Sequence, residues 1–277
     1  MTAPTAPTDQ LREAWDALAD GFDRHLTPHT IAFGQEIVSR LELGPGRRVI
    51  DIGAGSGAVA IPAARTGAEV VAIDLAPTMI ERLTARARAE GLATLSAEVG
   101  DGTALDVGDD RFDVAVSLNG VTVFPDLTAG LDEMVRVTRP GGEVVVGTFG
   151  PLPEVEFVAF LLAAMRAAAP EAMPASDAPP PPFRLADPTV FADTLRAAGL
   201  RDVTVEPVTW EIPFASVDDF LDVGMHGHPL PGQLRAGLTE EQAVAFRQVL
   251  DGMLRERSGG EAGAVLRASM RIGRGTV

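Results

Sequence analysis

The residues best suited to ligand chemistry cluster between positions 49 and 76, in the stretch VIDIGAGSGAVAIPAARTGAEVVAIDLA. Asp51 lies in one apolar run and Asp74 ends a second, and both runs are typical of buried strands. Between them lies a loop with glycines at alternate positions, beginning with Gly53 and Gly55. Glycine lets the backbone approach a ligand closely and adopt a positive φ. Carboxylates on either side of such a loop indicate a ligand that carries cations or hydroxyl groups.

Two cofactors fit this loop. The spacing Gly53-x-Gly55-x-x-Ala58 meets the looser pattern of nicotinamide-dinucleotide sites. In either cofactor, a carboxylate at Asp74 can accept hydrogen bonds from both hydroxyls of a ribose. Asp51, two residues before the first glycine, would repel a pyrophosphate but suits an ammonium and a sulfonium. The loop therefore favours S-adenosylmethionine, and a nicotinamide-dependent oxidoreductase is the alternative.

The composition narrows the classes of function. The chain has 277 residues, is 46% hydrophobic and carries a formal net charge of −16. The electrostatic field of this negative charge repels nucleic acid and anionic membranes. We therefore expect a small-molecule partner and no binding to nucleic acid or membranes. Cysteine, tyrosine and lysine are absent. Acid–base chemistry therefore falls to histidine, carboxylates, hydroxyl groups or water.

The chain also lacks the patterns that direct proteins to other compartments. No apolar run approaches the roughly 18 residues that cross a bilayer, and the N-terminus shows no basic-then-apolar signal pattern. We therefore expect a cytoplasmic protein, acting as a monomer or homodimer. The richness in alanine, glycine, arginine and proline is typical of bacteria with GC-rich genomes.

Apolar runs that predict strands alternate with helical periodicity, which is the pattern of a doubly wound α/β fold with a parallel sheet. We expect a helical cap over residues 1–44 and a ligand-binding Rossmann-like core over residues 45–150. A cap insertion would follow over residues 151–186. Residues 187–277 would complete the sheet, with a helical excursion at about 213–262.

Several motifs together resemble the class I S-adenosylmethionine-dependent methyltransferases, in particular the small-molecule branch that includes the ubiquinone/menaquinone type. The motifs that carry the resemblance are VIDIGAGSG, VVAIDLAPTMIERLTARA, VGDGTAL, FDVAVSLNGVTVFPD and MVRVTRPGGEVVVGTF. The last of them contains RPGG, which we expect to form a tight turn before the fifth strand. The resemblance implies a seven-stranded sheet whose last strand, AVLRASMRI, is antiparallel and lies between strands five and six.

The resemblance also implies individual roles. Asp51 and Gly53 would face the methionine end of the cofactor, and Gly55 would allow its close approach. Asp74 would bind the ribose. The remaining expected cofactor residues are Leu75 against the adenine, Asp101 and Gly102 at the adenine edge, and Asn119 near the transferred methyl.

Histidines are the expected catalytic residues, because tyrosine, lysine and cysteine are absent and imidazole titrates near neutral pH. His25 and His29 lie in the N-terminal segment, and His226 and His228 lie in the late excursion. We predict that at least one of the four lines the substrate pocket, with His29 and His226 as first candidates. No metal site is expected, because the histidines lack acids at ligand spacing.

The predicted reaction is methyl transfer to a small, mainly apolar molecule, aromatic or polyketide-like, in secondary or quinone metabolism. Long apolar segments outside the core would close over that molecule. Some aromatic residues are expected in the core rather than on the substrate wall, namely Phe22, Phe33, Phe124, Phe157, Phe160, Phe183, Trp15 and Trp210. Three alternatives stay open: the same fold and cofactor with a reaction other than methylation, the nicotinamide oxidoreductase, and a non-catalytic binding module.

Overall fold

A computed structural model describes residues 8–173, 180–227 and 235–277. The helices are α1 (Thr8–His25), α2 (Thr27–Val38), α3 (Ala60–Arg65), α4 (Pro77–Ala89), α5 (Leu127–Val137), α6 (Glu156–Ala168), α7 (Pro188–Ala197), α8 (Val217–His226) and α9 (Glu240–Ser258). The strands are β1 (Arg48–Ile52), β2 (Glu69–Asp74), β3 (Leu95–Val99), β4 (Phe112–Leu118), β5 (Thr138–Phe149), β6 (Arg201–Phe214) and β7 (Ala264–Thr276). In these residues no helix is long and apolar enough to cross a bilayer.

The described strands form one seven-stranded sheet in the order β3-β2-β1-β4-β5-β7-β6. β1 to β5 pair in parallel, and β7 pairs antiparallel with both β5 and β6. The predicted doubly wound sheet, with its last strand antiparallel between strands five and six, is confirmed. The crossovers from β1 to β2, from β2 to β3 and from β4 to β5 carry helices α3, α4 and α5, which cover the faces of the sheet, whereas residues 100–111 join β3 to β4 without a helix.

The central strands are buried because their side chains are apolar on both faces, as parallel strands covered by helices require. Six of the seven residues of β4, from Phe112 to Ser117, are buried. One helix layer packs on one face through Leu131 and Phe191, and another packs on the opposite face through Ile37 and Leu83. This rigid core fixes the carboxyl ends of β1, β2 and β4 at one edge, where ligands bind in such sheets.

The predicted RPGG turn before the fifth strand is wrong. Residues 139–142 lie inside β5, which begins at Thr138 directly after α5. The register with β4 shifts there, because Phe112 pairs with Thr138 while Val114 pairs with Glu143. The two glycines permit this bulge: Gly141 has φ +75°, and a Cβ at Gly142 would lie 2.8 Å from the carbonyl oxygen of Asp113. The segment bends within the strand, and its backbone hydrogen-bonds to Val277 through the N–H of Gly141 and the carbonyl oxygen of Gly142.

Helices outside the core cover the carboxyl edge of the sheet. Helix α1 packs on α4 through ion pairs of Arg82 with Asp20 and of Arg86 with Asp23. The side chain of Asp16 accepts a hydrogen bond of 2.7 Å from the backbone N–H of Thr78, in the first turn of α4. Helices α6, α8 and α9 pack together over the other part of this edge. The boundaries proposed above for cap and core segments stay predictions.

Candidate functional site

The glycine loop after β1 begins the site. Gly53 has φ +70° and Gly55 has φ +53°, a left-handed conformation that favours glycine. A Cβ at Gly53 would lie 2.8 Å from the Cα of Gly120, so the loop after β4 crosses directly against it. A Cβ at Gly55 would meet only Phe22, at 4.0 Å. The face of Gly55 is therefore open, and an aromatic ring from α1 lies above it.

Asp74, at the end of β2, is tied to this loop. Its Oδ2 accepts a hydrogen bond of 2.7 Å from the backbone N–H of Gly55, and its Oδ1 accepts one of 2.9 Å from the N–H of Ala76. Burial raises the pKa of Asp74. A carboxylate offers about four acceptor positions, so two remain for the hydroxyls of a ligand. Its neighbour Leu75 also lines the cavity described below.

Asp51 lies behind the loop rather than on its open face. Its side chain is only 1% exposed, and its Oδ2 accepts a hydrogen bond of 2.8 Å from the backbone N–H of Ala60. Burial raises the pKa of Asp51 to about 7, and the nearby charge of Asp74 also raises it. Asp51 does not line the cavity, because its carboxylate turns inward to the start of α3, which follows the glycine loop. Its role at the methionine end of the cofactor stays a prediction.

The segment after β3 forms a further wall. Oδ1 of Asp101 accepts hydrogen bonds from the backbone N–H of Thr103 at 2.9 Å and from its hydroxyl at 2.7 Å. A Cβ at Gly102 would lie 2.5 Å from the ring of Phe124, so glycine is required for this packing. Asp101 and Gly102 both lie on the cavity wall, where the resemblance expects the adenine edge.

Asn119, after β4, has an unusual backbone and an unsatisfied side chain. Its φ is +55°, which is rare for a residue other than glycine. Its Oδ1 is buried and has no hydrogen-bond partner among the described residues. An orphaned buried acceptor costs about 1–3 kcal/mol, and such costs concentrate at ligand sites. Because Asn119 lines the cavity, we infer that a bound ligand supplies the missing donor.

These residues share one cavity of about 370 Å³, within the range of small-molecule sites. One wall comes from the core, and its members include Gly53, Gly55, Asp74, Leu75, Asp101, Gly102, Asn119 and Phe124. The other wall comes from the cap helices, the residue between α1 and α2, the segment 180–183 and β6, and its members include Trp15, Phe22, Leu26, His29, Phe157, Leu161, Met165, Phe183, Trp210 and Met225. The first wall carries polar groups and the second is mainly apolar.

Six aromatic residues expected in the core belong to its clusters and also line the cavity. They are Trp15, Phe22, Phe124, Phe157, Phe183 and Trp210. Phe33 is buried as expected, with its ring 5.5 Å from that of Trp210. Helical spacing identifies the apolar face of an element, but a core and an apolar pocket wall have the same spacing.

The histidines lie in two different places. His29 lines the cavity, and burial lowers its pKa while the charge of Asp219 raises it. His226 does not line the cavity in the described part of the chain. Its ring stacks on that of His25 at 5.2 Å, and its Nδ1 lies 2.6 Å from the carbonyl oxygen of Asp222. The position expected for His226 is therefore wrong, because it closes the contact between α1 and α8; His228 lies outside the described residues.

Over residues 8–173, 180–227 and 235–277, no group of three or more histidines and acids could hold a metal ion. The buried carboxylate of Asp51 and the half-buried carboxylate of Asp74 form no ion pair within the same residues. Two carboxylates without a cation, an orphaned amide oxygen and an open glycine face fit a ligand with cationic groups, amines and hydroxyls. S-adenosylmethionine carries all three.

Comparison with known proteins supports this fit. Residues 49–142 match the family described as "Methyltransferase domain". Nocamycin O-methyltransferase of Saccharothrix syringae is 32% identical over 210 residues, which are 70% of this chain and 71% of that protein. An uncharacterised protein of Mycobacterium tuberculosis is 46% identical over 113 residues, 41% of each chain, so this chain spans less than half the length of that relative.

Among solved structures, the cyclase SpnF superposes with a TM-score of 0.59 at 16% identity, over 99% of this chain and 98% of that chain. At that identity the likeness concerns the fold alone. The sequence relatives, the ordered motifs and the site geometry agree. The chain belongs to the class I S-adenosylmethionine-dependent methyltransferases, and S-adenosylmethionine is the cofactor of that family.

Proposed function

We propose that this protein transfers the methyl group of S-adenosylmethionine to a small, mainly apolar molecule. One observation carries the proposal: a single cavity has the glycine loop and Asp74 on one wall and an apolar wall of cap residues on the other. A cofactor on the first wall would face an acceptor on the second, with no protein between them.

The core residues would hold the cofactor. The two acceptor positions left on Asp74 would take the ribose hydroxyls, and Leu75 would pack on the adenine. The remaining acceptor capacity of Asp101 would take the adenine amino group. Asp51 would favour the cationic end through its charge, and the buried oxygen of Asn119 would receive a donor from the ligand.

The cap residues would orient the acceptor and keep water out. Bound S-adenosylmethionine supplies a methyl carbon that its sulfonium already activates. Alignment of two bound reactants can lower a barrier by roughly 7–11 kcal/mol, so the residues need supply little else. His29 would orient a hydroxyl acceptor or take its proton, because its lowered pKa leaves the imidazole neutral near pH 7.

The acceptor class follows from the apolar wall. Aromatic rings from α1, α6 and β6 favour a flat aromatic or polyketide-like molecule. The relative named nocamycin O-methyltransferase supports a small natural product rather than a macromolecule. Secondary metabolism is the context we propose.

The test begins with calorimetry of S-adenosylhomocysteine and NADH against the full chain. We expect S-adenosylhomocysteine to bind and NADH to show no heat. The protein is then incubated with methyl-labelled S-adenosylmethionine and phenolic or polyketide acceptors. The products are separated, and the label in each product is measured. Cofactor binding with acceptor consumed but unlabelled would replace the proposal with a non-methylating reaction on the same fold, and NADH binding alone would replace it with an oxidoreductase.

A further inference from the structure

Helix α2 begins against the back of the glycine loop through two buried hydroxyl groups. Thr27 is 0% exposed and Ser56 is 1% exposed. Their hydroxyl oxygens share a hydrogen bond. Ser56 lies between Gly55 and Gly57 in the glycine loop, and Thr27 is the first residue of α2. Neither hydroxyl lines the cavity, so neither is placed to bind ligand directly.

The direction of the hydrogen bonds follows from counting protons. Each hydroxyl donates once, and the hydroxyl of Thr27 donates to the carbonyl oxygen of Phe22 at 3.3 Å. Ser56 must then donate to Thr27. This series of hydrogen bonds runs from Ser56 in the glycine loop, through Thr27 of α2, to Phe22 near the end of α1. The ring of Phe22 covers the open face of Gly55.

A second contact fixes α2 further along. A Cβ at Gly34 would lie 1.8 Å from the carbonyl oxygen of Ala58, so the helix and the end of the loop are in direct backbone contact. Thr27 and Gly34 are two helical turns apart and lie on the same face. His29 lies between these two anchors and lines the cavity.

We propose that Thr27 and Ser56 are positioning residues, which couple the cofactor-binding glycine loop to His29 at the acceptor end of the cavity. With the cofactor bound against the loop, the hydroxyl pair holds α2 in register, and His29 keeps its place beside the acceptor. The role of His29 in turnover rests on the proposed function. The coupling itself is measurable without any acceptor.

The experiment follows the imidazole signals of the full chain by NMR during pH titrations, with and without S-adenosylhomocysteine. The chain has only four histidines, and His29 is assigned from the spectrum of H29Q. The variants are T27V, S56A and their double variant, and T27S keeps the hydroxyl. S39A is the matched control, because the Ser39 hydroxyl bonds to the Glu36 carbonyl oxygen at the exposed end of the same helix.

In the wild type we expect the pKa of His29 to lie below the ordinary value and to fall further when S-adenosylhomocysteine excludes water from the cavity. T27V and S56A should each return the pKa of His29 towards the ordinary value in the free protein. Each should weaken S-adenosylhomocysteine binding about tenfold. The double variant should be no worse than T27V, since T27V already removes the bond to Ser56 together with the bond of Thr27 to Phe22. T27S and S39A should match the wild type.

An unchanged pKa of His29 in folded T27V and S56A would overturn the coupling, even if both variants melt at a lower temperature. Effects of T27V and S56A that add in the double variant would show two separate packing contacts instead of a pair. A wild type that fails to bind S-adenosylhomocysteine would contradict the proposed function, while the pKa comparison in the free protein would still decide the positioning role.

Discussion

The carboxylate of Asp74 accepts a hydrogen bond of 2.7 Å from the backbone N–H of Gly55, which joins the end of the second strand to the loop after the first. The same side chain faces the cavity. Its charge therefore serves the loop and the ligand together.

Replacing Asp74 with alanine should weaken S-adenosylhomocysteine binding about 100-fold, because two charge-assisted hydrogen bonds to the ribose would be lost. The loss of the bonds to Gly55 and Ala76 should lower the stability by about 1–2 kcal/mol. Calorimetry and urea unfolding measure the two effects. The exposed D193A on α7 is the control, and a dissociation constant unchanged in D74A would refute the ribose assignment.

The pKa of Asp51, raised to about 7 by burial, should make binding of the cationic cofactor depend on pH. A cation favours the ionised acid, so S-adenosylmethionine should bind more tightly as the pH rises to about 7 and level off above it. S-adenosylhomocysteine, which lacks the sulfonium, should respond less. D51N should remove most of this dependence, and calorimetry in buffers of different ionisation enthalpy counts the protons released.

The same pKa bears on the stability of the free protein. The folded state holds this proton more tightly than the unfolded state, whose acid titrates near pH 4. The contribution of Asp51 to stability is therefore full below about pH 4 and is lost as the pH rises through about 7. At pH 8, free D51N should melt at a higher temperature than the wild type. A lower melting temperature would mean that the charge itself stabilises the loop.

Gly91 is a control for Gly55, because it also has a positive φ but does not line the cavity. Gly55 has φ +53° and Gly91 has φ +67°, and a Cβ at Gly91 would meet nothing within 4 Å. Alanine at either position should cost about 1–2 kcal/mol of stability through the left-handed backbone. Of the two alanine variants, only G55A should lose S-adenosylhomocysteine binding. The G55V variant should also fail to bind it. Equal affinities in G55A and G91A would show that the loop does not touch the cofactor.

A glycine substitution at Asn119 separates the effect on protein stability from the effect on ligand binding. N119G keeps the left-handed backbone and removes the unpartnered Oδ1, so the free protein should be as stable as the wild type or more stable. Its affinity for S-adenosylhomocysteine or S-adenosylmethionine should fall about tenfold, since the ligand loses one acceptor. Thermal unfolding and calorimetry on the same samples test both. If the affinity for both ligands is unchanged, the hydrogen-bond donor to Asn119 would have to come from the methyl-accepting molecule instead of the cofactor.

Alanine variants of His29 and His226 can be compared in turnover assays, with H226A as the control for H29A. With an acceptor hydroxyl, H29A should lower kcat by 100-fold or more, within the range for loss of a general base. The wild-type rate should rise with pH through a midpoint below that of ordinary imidazole, because burial lowers the pKa of His29. H226A should keep both the rate and the profile. A pH profile retained in H29A would remove His29 from the chemistry.

The parallel core was predictable because its signals are local. The apolar runs of β1, β2 and β4, the glycines and the two aspartates are adjacent in sequence, and strand alternation fixes the edge at which they meet. The position of the RPGG segment was misjudged because β5 already begins before it, at Thr138, through pairing with Phe112 of β4. Local composition does not report that pairing.

The acceptor wall was less predictable because its residues are distant in sequence. Trp15, Phe157 and Trp210 meet only after α1, α6 and β6 pack together. The pairing of Thr27 with Ser56 spans 29 positions, and two small hydroxyl residues carry no pattern of their own. His226 was misplaced for a related reason, because its neighbours Met225 and Gly227 do reach the cavity while its ring turns to His25.

The two walls of the cavity differ in how the chain supplies them. The cofactor wall comes from one continuous stretch, residues 53–126, whereas the cap wall is gathered from residues 8–30, 149–165, 180–183 and 210–227. The loops of the first wall contact one another, as those of Gly53 and Gly120 do, whereas each cap segment reaches the cavity from its own part of the chain. Such a division lets descendants of one ancestor acquire new acceptors while inheriting the same cofactor half. It also marks the cap segments as the units to exchange when the acceptor range is to be altered in the laboratory.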